Sequence, residues 1–270
     1  MVYYKPKNDT VVGGELMVLL AFGDVVGVSG AETLAARLPA LRKHYSAHLV
    51  IVNAENADGS GAMPARIHLL RDAGADAITL GNHTFRKRQI EPELRENPRL
   101  LRPLNFSPRA PGRGAVTLDI GGRRVCIVNL VGRCHMDFAP DNPFLAIEAL
   151  LAQGEADRYI IEFHAQASSE KYAMAYHLDG RASVLFGTHT HVQTADEKIF
   201  PKGLGYLTDL GMCGPWDSVI GVRPEQSLAM FLGEPAGRFE TAPGPACIQG
   251  AAFAIDDETG ACTAIERIQE

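Results

Sequence analysis

Hydrophobic positions in this chain fall in short uninterrupted runs, and five of them end, within one to six residues, in a side chain able to bind a metal or move a proton. Val18 to Phe22 leads to Asp24, Leu49 to Val52 to Glu55 and Asn56, and Ala77 to Leu80 to Asn82 and His83. Tyr159 to Phe163 leads to His164, and Val184 to Phe186 to His189 and His191. Short β-branched and aromatic runs bounded by Gly, Asn and Asp predict buried strands. Between them lie segments with helical spacing: Ala31 to Tyr45, with Leu34, Leu38, Leu41 and Tyr45 on one face, Ala62 to Ala73, and Phe144 to Gln153. A further short helix is expected from Ser168 or Ser169 to about Leu178. Pro39 should kink the first helix or split off its first turn, because its ring removes a donor and clashes with the preceding turn. The alternation is βαβ, and in such sheets ligands gather at the carboxyl ends of the strands. The polar clusters are therefore expected to converge.

Beyond His191 the pattern changes. Gly205 to Thr208 reads as a strand, and a Gly-rich stretch follows it. Cys247 to Ile255 and Ala261 to Ile268 read as an antiparallel hairpin around the turn-forming cluster Asp256 to Gly260, which implies a mixed sheet. The Pro- and Arg-rich segment from Pro92 to Gly114 reads as a long surface loop. Residues 1–16 show no clear period and read as a disordered leader or a start codon assigned too early, and 17–270 as one domain without repeats.

A chain of 270 residues can bury a large core. Net charge is -6 and the 26 basic residues form no long run, so binding to nucleic-acid polymers or membrane surfaces has no electrostatic support. Small substrates remain open, as does a homo-oligomer. Cys126, Cys134, Cys213, Cys247 and Cys262 are odd in number and contain no C-x-x-C pair, which suits reduced, buried thiols. No stretch approaches the roughly 20 apolar residues of a membrane span, and the expected compartment is the cytoplasm.

The polar clusters suit a site for two metal ions, because carboxylate, carboxamide and imidazole ligands without thiolate favour Fe, Mn, Zn or Co. Gly23-Asp24-Val-Val-Gly27 places a carboxylate directly after a strand, where Asp also serves as a helix cap. Asn53-Ala-Glu55-Asn56 adds a second carboxylate able to bridge two ions, although the same residues make an ordinary polar turn. Gly81-Asn82-His83 sets a carboxamide ligand beside a proton donor. In Gly187-Thr-His189-Thr-His191 the imidazoles at i and i+2 of an extended backbone would point the same way and reach neighbouring ions. His164, in Glu162-Phe-His-Ala-Gln-Ala, supplies the remaining imidazole. His44, His48 and His68 read as surface residues, and His135 and His177 have no spacing that argues for the site. Arg102, Arg133 and Arg181 lie near the site loops, where each could contact a phosphate or a base or stand as plain surface charge.

An Asp, then Gly-Asn-His, then an isolated His, then Gly-x-His-x-His is the order found in calcineurin-like metallophosphoesterases, which this chain resembles. Val26 stands where that superfamily usually has a histidine, and Asn53-Ala-Glu55-Asn56 replaces its Gly-Asp-x-x-Asp. Those departures, with Phe-His-Ala-x-Ala-x-Ser-Glu-Lys, Gly-Thr-His-Thr-His-Val-Gln-Thr-Ala-Asp and Thr-Asp-Leu-Gly-Met-x-Gly-Pro, resemble the YmdB-like bacterial phosphodiesterases from Met17 to about Ile268. Gln166 stands where that family usually has Glu. The resemblance implies a four-layer α/β/β/α sandwich with mixed sheets, two divalent transition-metal ions, iron or manganese, and hydrolysis of small cyclic nucleotides. One ion would be held by Asp24, Glu55, Asn56 and His191 and the other by Glu55, Asn82, His164 and His189, with His83 as general acid. Ring strain in the five-membered phosphate favours 2′,3′-cyclic over 3′,5′-cyclic substrates. A phosphomonoesterase or nucleotidase on the same scaffold, or a regulatory nucleotide-binding protein with little turnover, would use the same ligands.

Overall fold

Alternation within the first strand sets the layering. In the computed structural model, which describes residues 16–270, β1 (Leu16–Phe22) is buried on both faces. Val18, Leu20 and Phe22 join an apolar cluster with Leu34, Leu38 and Leu41, whereas Met17, Leu19 and Ala21 join Ile127, Ile160 and Phe186. Successive side chains of a strand go to opposite faces, so a strand apolar on both must be covered on both.

The elements that follow in the first half are β2 (Asp24–Val25), α1 (Gly27–His44), β3 (Leu49–Asn53), α2 (Pro64–Asp72), β4 (Ala77–Thr79), α3 (Ile90–Glu96) and β5 (Leu100–Leu101). The second half opens with β6 (Ala115–Ile120), β7 (Arg123–Val131), α4 (Pro143–Leu151), β8 (Arg158–His164), α5 (Ser168–Leu178) and β9 (Val184–Thr188). It continues with β10 (Lys198–Ile199), β11 (Gly205–Leu207), β12 (Met212–Pro215), α6 (Pro224–Leu232), β13 (Ala246–Cys247), β14 (Gln249–Asp256) and β15 (Cys262–Gln269).

One six-stranded sheet has the order β15-β14-β1-β3-β4-β5 and the other the order β10-β11-β9-β8-β7-β6, with a small sheet β13-β12-β2 beside them. Both large sheets are mixed: β1, β3, β4 and β5 run parallel with β14 antiparallel to β1, and β7, β8, β9 and β11 run parallel between antiparallel β6 and β10. Their inner faces share one apolar layer, in which Leu49, Ile51 and Phe253 meet Val125, Ile127 and Val184. Outside the first sheet lie α1, α2 and α3, through Leu38, Ile67, Leu70, Ile90 and Leu94. Outside the second lie α4 and α5, through Ile147, Met174 and Leu178. The expected α/β/β/α sandwich is the observed architecture.

Several details differ from the sequence reading. Helix α1 starts earlier, at Gly27, and continues on both sides of Pro39, whose ring faces solvent while Leu34, Leu38 and Leu41 fasten both halves to the sheet. The segment read as a surface loop from Pro92 to Gly114 contains most of α3 and all of β5. Leu100 and Leu101 there are fully buried, since a two-residue edge strand needs only two apolar residues between polar neighbours. Strands β6 and β7 were not expected, although Val125 to Val131 form an apolar run broken only by Asn129. Leu16 opens β1, and the rest of the expected leader lies outside the described residues. Cys126, Cys213, Cys247 and Cys262 are buried free thiols as expected, but Cys134 is exposed. Among the described residues no helix is long and apolar enough to cross a membrane.

Candidate metal centre

Each polar cluster sits where a strand ends, held by backbone contacts that admit no bulk. After β1 the chain passes Gly23, where a Cβ would overlap the carbonyl of Gly211, and Asp24 is fully buried beyond it. After β3, the side chain of Asn53 accepts from the Glu55 N–H at 3.0 Å, a local turn that aims Glu55 and Asn56 inward. After β4, a Cβ at Gly81 would overlap Glu55 Oε2 and His164 Nε2, so only glycine lets this turn close over the two side chains. The Thr84 hydroxyl donates to the Gly81 carbonyl at 2.6 Å and ties the turn that carries Asn82 and His83. His164 ends β8, and β9 runs into the segment of His189 and His191.

That last segment is not the extended backbone expected. His189 has φ 99° and His191 φ 63°, conformations uncommon outside glycine, so the pair diverges through a strained turn. His189 Nδ1 faces His164 Nε2 at 3.1 Å, whereas His191 Nε2 faces Asn56 Nδ2 at 3.2 Å and His191 Nδ1 donates to the Ile220 carbonyl at 2.8 Å.

Every proposed metal ligand and His83 are brought together, in two groups that meet at Glu55. In one group, ligand atoms of Glu55, His164 and His189 lie within 4.8 Å of one another, and Asn82 Oδ1 is 2.9 Å from His164 Nε2. In the other, Asp24 Oδ1 is 3.9 Å from His191 Nε2 beside Asn56. Glu55 Oε1 is 3.2 Å from His164 Nε2 and 3.1 Å from Asn56 Nδ2. Asn56 turns its nitrogen to this centre. Because the two ends of a carboxamide have the same shape, a half-turn delivers its oxygen to the same place. His83 stands at the rim, 26% exposed, with Nδ1 at 2.8 Å from Asn56 Oδ1 and its N–H donating to Glu55 Oε2 at 3.1 Å.

The charges are unbalanced in a telling way. Burial would raise Glu55, yet His164 and His83 overcome it and hold the carboxyl well below the usual range. Burial pushes Asp24 up, against the pull of His191 and His164. Burial would lower His164, but Glu55, Asp24 and Glu162 lift it to about 9, while burial beside His164 depresses His189 to about 3. A fully buried imidazole whose pKa neighbouring carboxylates raise marks a place that calls for positive charge.

Divalent ions fit this donor set. Asp24 Oδ1 is buried without a hydrogen-bond partner among the described residues, which is costly unless something else binds it. Imidazole nitrogens, carboxylates and carboxamides converge there without a thiolate, the composition suited to Fe, Mn, Zn or Co.

Behind the centre lies a polar network that the sequence did not disclose. Glu162, buried within β8, accepts from Asn53 Nδ2 and, at 2.7 Å, from the Thr188 hydroxyl, whose oxygen is 2.9 Å from His164 Nδ1. Burial lifts Glu162 to about 7 against these bonds. Lys171, 1% exposed, donates to Asp209 Oδ2 and to the Thr188 carbonyl at 2.9 Å each, while Asp209 Oδ2 accepts from the Thr190 N–H at 3.1 Å. A charged residue inside an apolar run was the available signal for Glu162, and Lys171 and Asp209 stand in the Ser-Glu-Lys and Thr-Asp-Leu-Gly motifs. Of the arginines read as near the site, Arg102 is buried and donates to the Pro103 carbonyl, and Arg181 pairs with Glu148 on the α4 and α5 side. His177 also pairs with Glu148.

A sequence profile of the YmdB-like protein family matches residues 20–268. The chain belongs to that family. It is similar to a 2′,3′-cyclic-nucleotide 2′-phosphodiesterase from Bacillus subtilis (strain 168), 42% identical over 93% of this chain and 96% of that one. Two solved structures share this chain's architecture over nearly its whole length. A hypothetical protein from Thermus thermophilus has a TM-score of 0.88 at 41% identity, covering 94% of this chain and 99% of that one. A phosphatase from Mycoplasma pneumoniae has a TM-score of 0.90 at 35% identity, covering 95% of this chain and 94% of that one. At 14% identity and a TM-score of 0.62, a putative 5′-nucleotidase from Staphylococcus aureus shares the fold alone, over 94% of this chain and 54% of that one.

Proposed function

We propose that this chain is a dinuclear-metal phosphodiesterase that hydrolyses small cyclic nucleotides, with 2′,3′-cyclic monophosphates ahead of 3′,5′-cyclic ones. The observation that carries it is Glu55, a buried carboxylate with donor atoms of two ligand groups on either side. Asp24, Asn56 and His191 would hold one ion with Glu55, and Asn82, His164 and His189 the other. Iron or manganese suits these ligands better than magnesium, which prefers oxygen and water. The bound ions supply Lewis acidity and activate water as a nucleophile. Two divalent cations carry more charge than Asp24 and Glu55 return, so the side chains leave a cationic floor for the diester anion and the added charge of its transition state.

His83 is placed to protonate the departing alkoxide. It stands at the open rim, and its Nδ1 contact with Asn56 fixes the ring so that Nε2 is the nitrogen left for substrate. Such an acid contributes roughly 10²- to 10⁴-fold. The substrate class follows the name of the Bacillus subtilis relative and the strain of a five-membered cyclic phosphate. A long polynucleotide is disfavoured, because a chain of net charge -6 lacks a basic stripe to release counterions.

A phosphomonoesterase reading draws on the Mycoplasma pneumoniae relative described as a phosphatase. The deciding experiment is elemental analysis of anaerobically prepared protein together with an assay of both cyclic isomers, a phosphomonoester and single-stranded RNA. About two transition-metal ions per chain and fastest cleavage of the 2′,3′-cyclic substrate are expected. Faster cleavage of the monoester or of RNA overturns the assignment.

A further inference from the structure

A line of phenylalanines leads away from the centre. Phe85 follows His83 in the same turn, its ring lies 6.0 Å from that of Phe106, and Phe106 meets Phe138 edge to face at 5.4 Å. All of them are partly exposed, and Phe106 and Phe138 belong to none of the buried apolar clusters of the described residues. Aromatic rings outside the core and partly open to solvent can offer a face to a ligand.

Their loops are anchored at the strand end beside the centre. Val131, the last residue of β7, pairs with His164. Asn105 accepts from the Val131 N–H at 3.0 Å and donates to the Val131 and Asp141 carbonyls at 2.8 Å each, which fixes Phe106 against this strand end. Just beyond, the Gly132 N–H donates to the His164 carbonyl at 2.9 Å, and Glu170 accepts from the N–H groups of Arg133 and Cys134 at 3.0 and 3.2 Å. A Cβ at Gly132 would lie 2.6 Å from Ala165 Cβ and from Glu170 Oε2, so the backbone passes here only as glycine. Arg133 is thereby held next to the ligand-bearing strand, and among the described residues its guanidinium has no ion-pair partner. Phe138 and Arg133 bound one hollow of about 710 Å³, and Phe106 lines an adjoining one of about 700 Å³ that shares Asn142 with it. Both sizes lie in the range of about 300–1,000 Å³ typical of small-molecule sites.

We propose that Phe106 and Phe138 form a nucleobase-stacking subsite, with Arg133 at its inner end facing the phosphate and ribose. This rests on the diesterase reading above and adds what that reading leaves open: how a site whose metal ligands see only phosphate selects a nucleotide. Bases stack on aromatic faces with little regard to sequence, so the subsite recognises a nucleoside rather than one particular base. The guanidinium adds a planar donor for phosphate oxygens.

The test compares adenosine 2′,3′-cyclic phosphate with ethylene phosphate, a five-membered cyclic diester without base or ribose. The metal-loaded enzyme and its Phe106→Leu and Phe138→Leu variants are used, since leucine keeps apolar volume and loses the ring. Each variant is expected to raise KM for the nucleotide about 10-fold or more. Its kcat/KM for ethylene phosphate should stay within about three-fold. Equal losses on both substrates, or no loss on the nucleotide, overturn the subsite. If the unaltered enzyme cleaves neither diester, the diesterase reading fails on its own. Calorimetric binding of adenosine 2′-monophosphate then decides the subsite: weakening of about 10-fold in Phe138→Leu supports it, and unchanged affinity overturns it.

Discussion

His83 and Gly81 stand side by side in one turn and do different work. His83 touches Glu55 and Asn56 from the rim, so His83→Ala should leave metal content near normal while lowering turnover by roughly 10²-fold or more. The defect should shrink on a diester with an acidic aryl leaving group, and metal loss measured by elemental analysis would instead make His83 a ligand. Gly81 carries no chemistry, yet Gly81→Ala would drive a methyl into Glu55 Oε2 and His164 Nε2. We expect overpacking of about 1–3 kcal/mol in melting experiments together with weakened metal binding. The ligand types were readable in the sequence because O and N donors ended apolar runs. The role of glycine at 81 was not, since nothing local shows that its missing side chain lies against a carboxylate contributed by another strand.

At the scale of elements, the turn after β9 shows where sequence reading stopped. Alternate histidines were expected to point one way from extended backbone, whereas both adopt positive φ. Long-range contacts impose that geometry: Asp24 Oδ2 accepts from the His189 N–H at 2.9 Å, Asp209 Oδ2 from the Thr190 N–H, and Lys171 donates to the Thr188 carbonyl. No local pattern encodes partners so distant in the chain. Lys171→Met should therefore do more than remove a contact, because it strands the Asp209 charge in the interior. A loss of about 3–5 kcal/mol in denaturant unfolding is expected, with part recovered in Lys171→Met/Asp209→Leu. Metal affinity, titrated separately on folded protein, should fall in both variants, since both release the turn. Unchanged affinity in the double variant would show that the turn holds itself. Strands β6 and β7 were missed for a simpler reason: the run Val125 to Val131 ends without a ligand, although it is an interior strand of the second sheet, between β8 and β6.

For the whole molecule, the two sheets converge on a centre built from residues between Asp24 and His191, so the ions would cross-link most of the fold. The apolar runs gave buried strands, their βαβ alternation and a mixed sheet, whereas the four-layer arrangement came from the family resemblance. The pairing order of the strands was not legible, since similar apolar runs are interchangeable until side chains such as Asn129, which donates to the Leu80 and Leu101 carbonyls across the sheets, choose neighbours. This geometry makes metal binding a stability statement. An ion that binds only the folded chain stabilises it by about 2.7 kcal/mol at a hundredfold excess over its dissociation constant. Two such ions should raise the melting temperature by roughly 10 °C. Stripping the metal with a chelator should lower the midpoint by that amount, and adding back manganese or ferrous iron under anaerobic conditions should restore it in a concentration-dependent way. Glu55→Gln removes the carboxylate common to both ligand groups and one of the two negative charges that hold the cations. Its midpoint should respond far less to added metal than that of the unaltered chain, as read by differential scanning calorimetry across a metal titration. A variant midpoint that rises as steeply as the wild type's would show that Glu55 does not join the two ions.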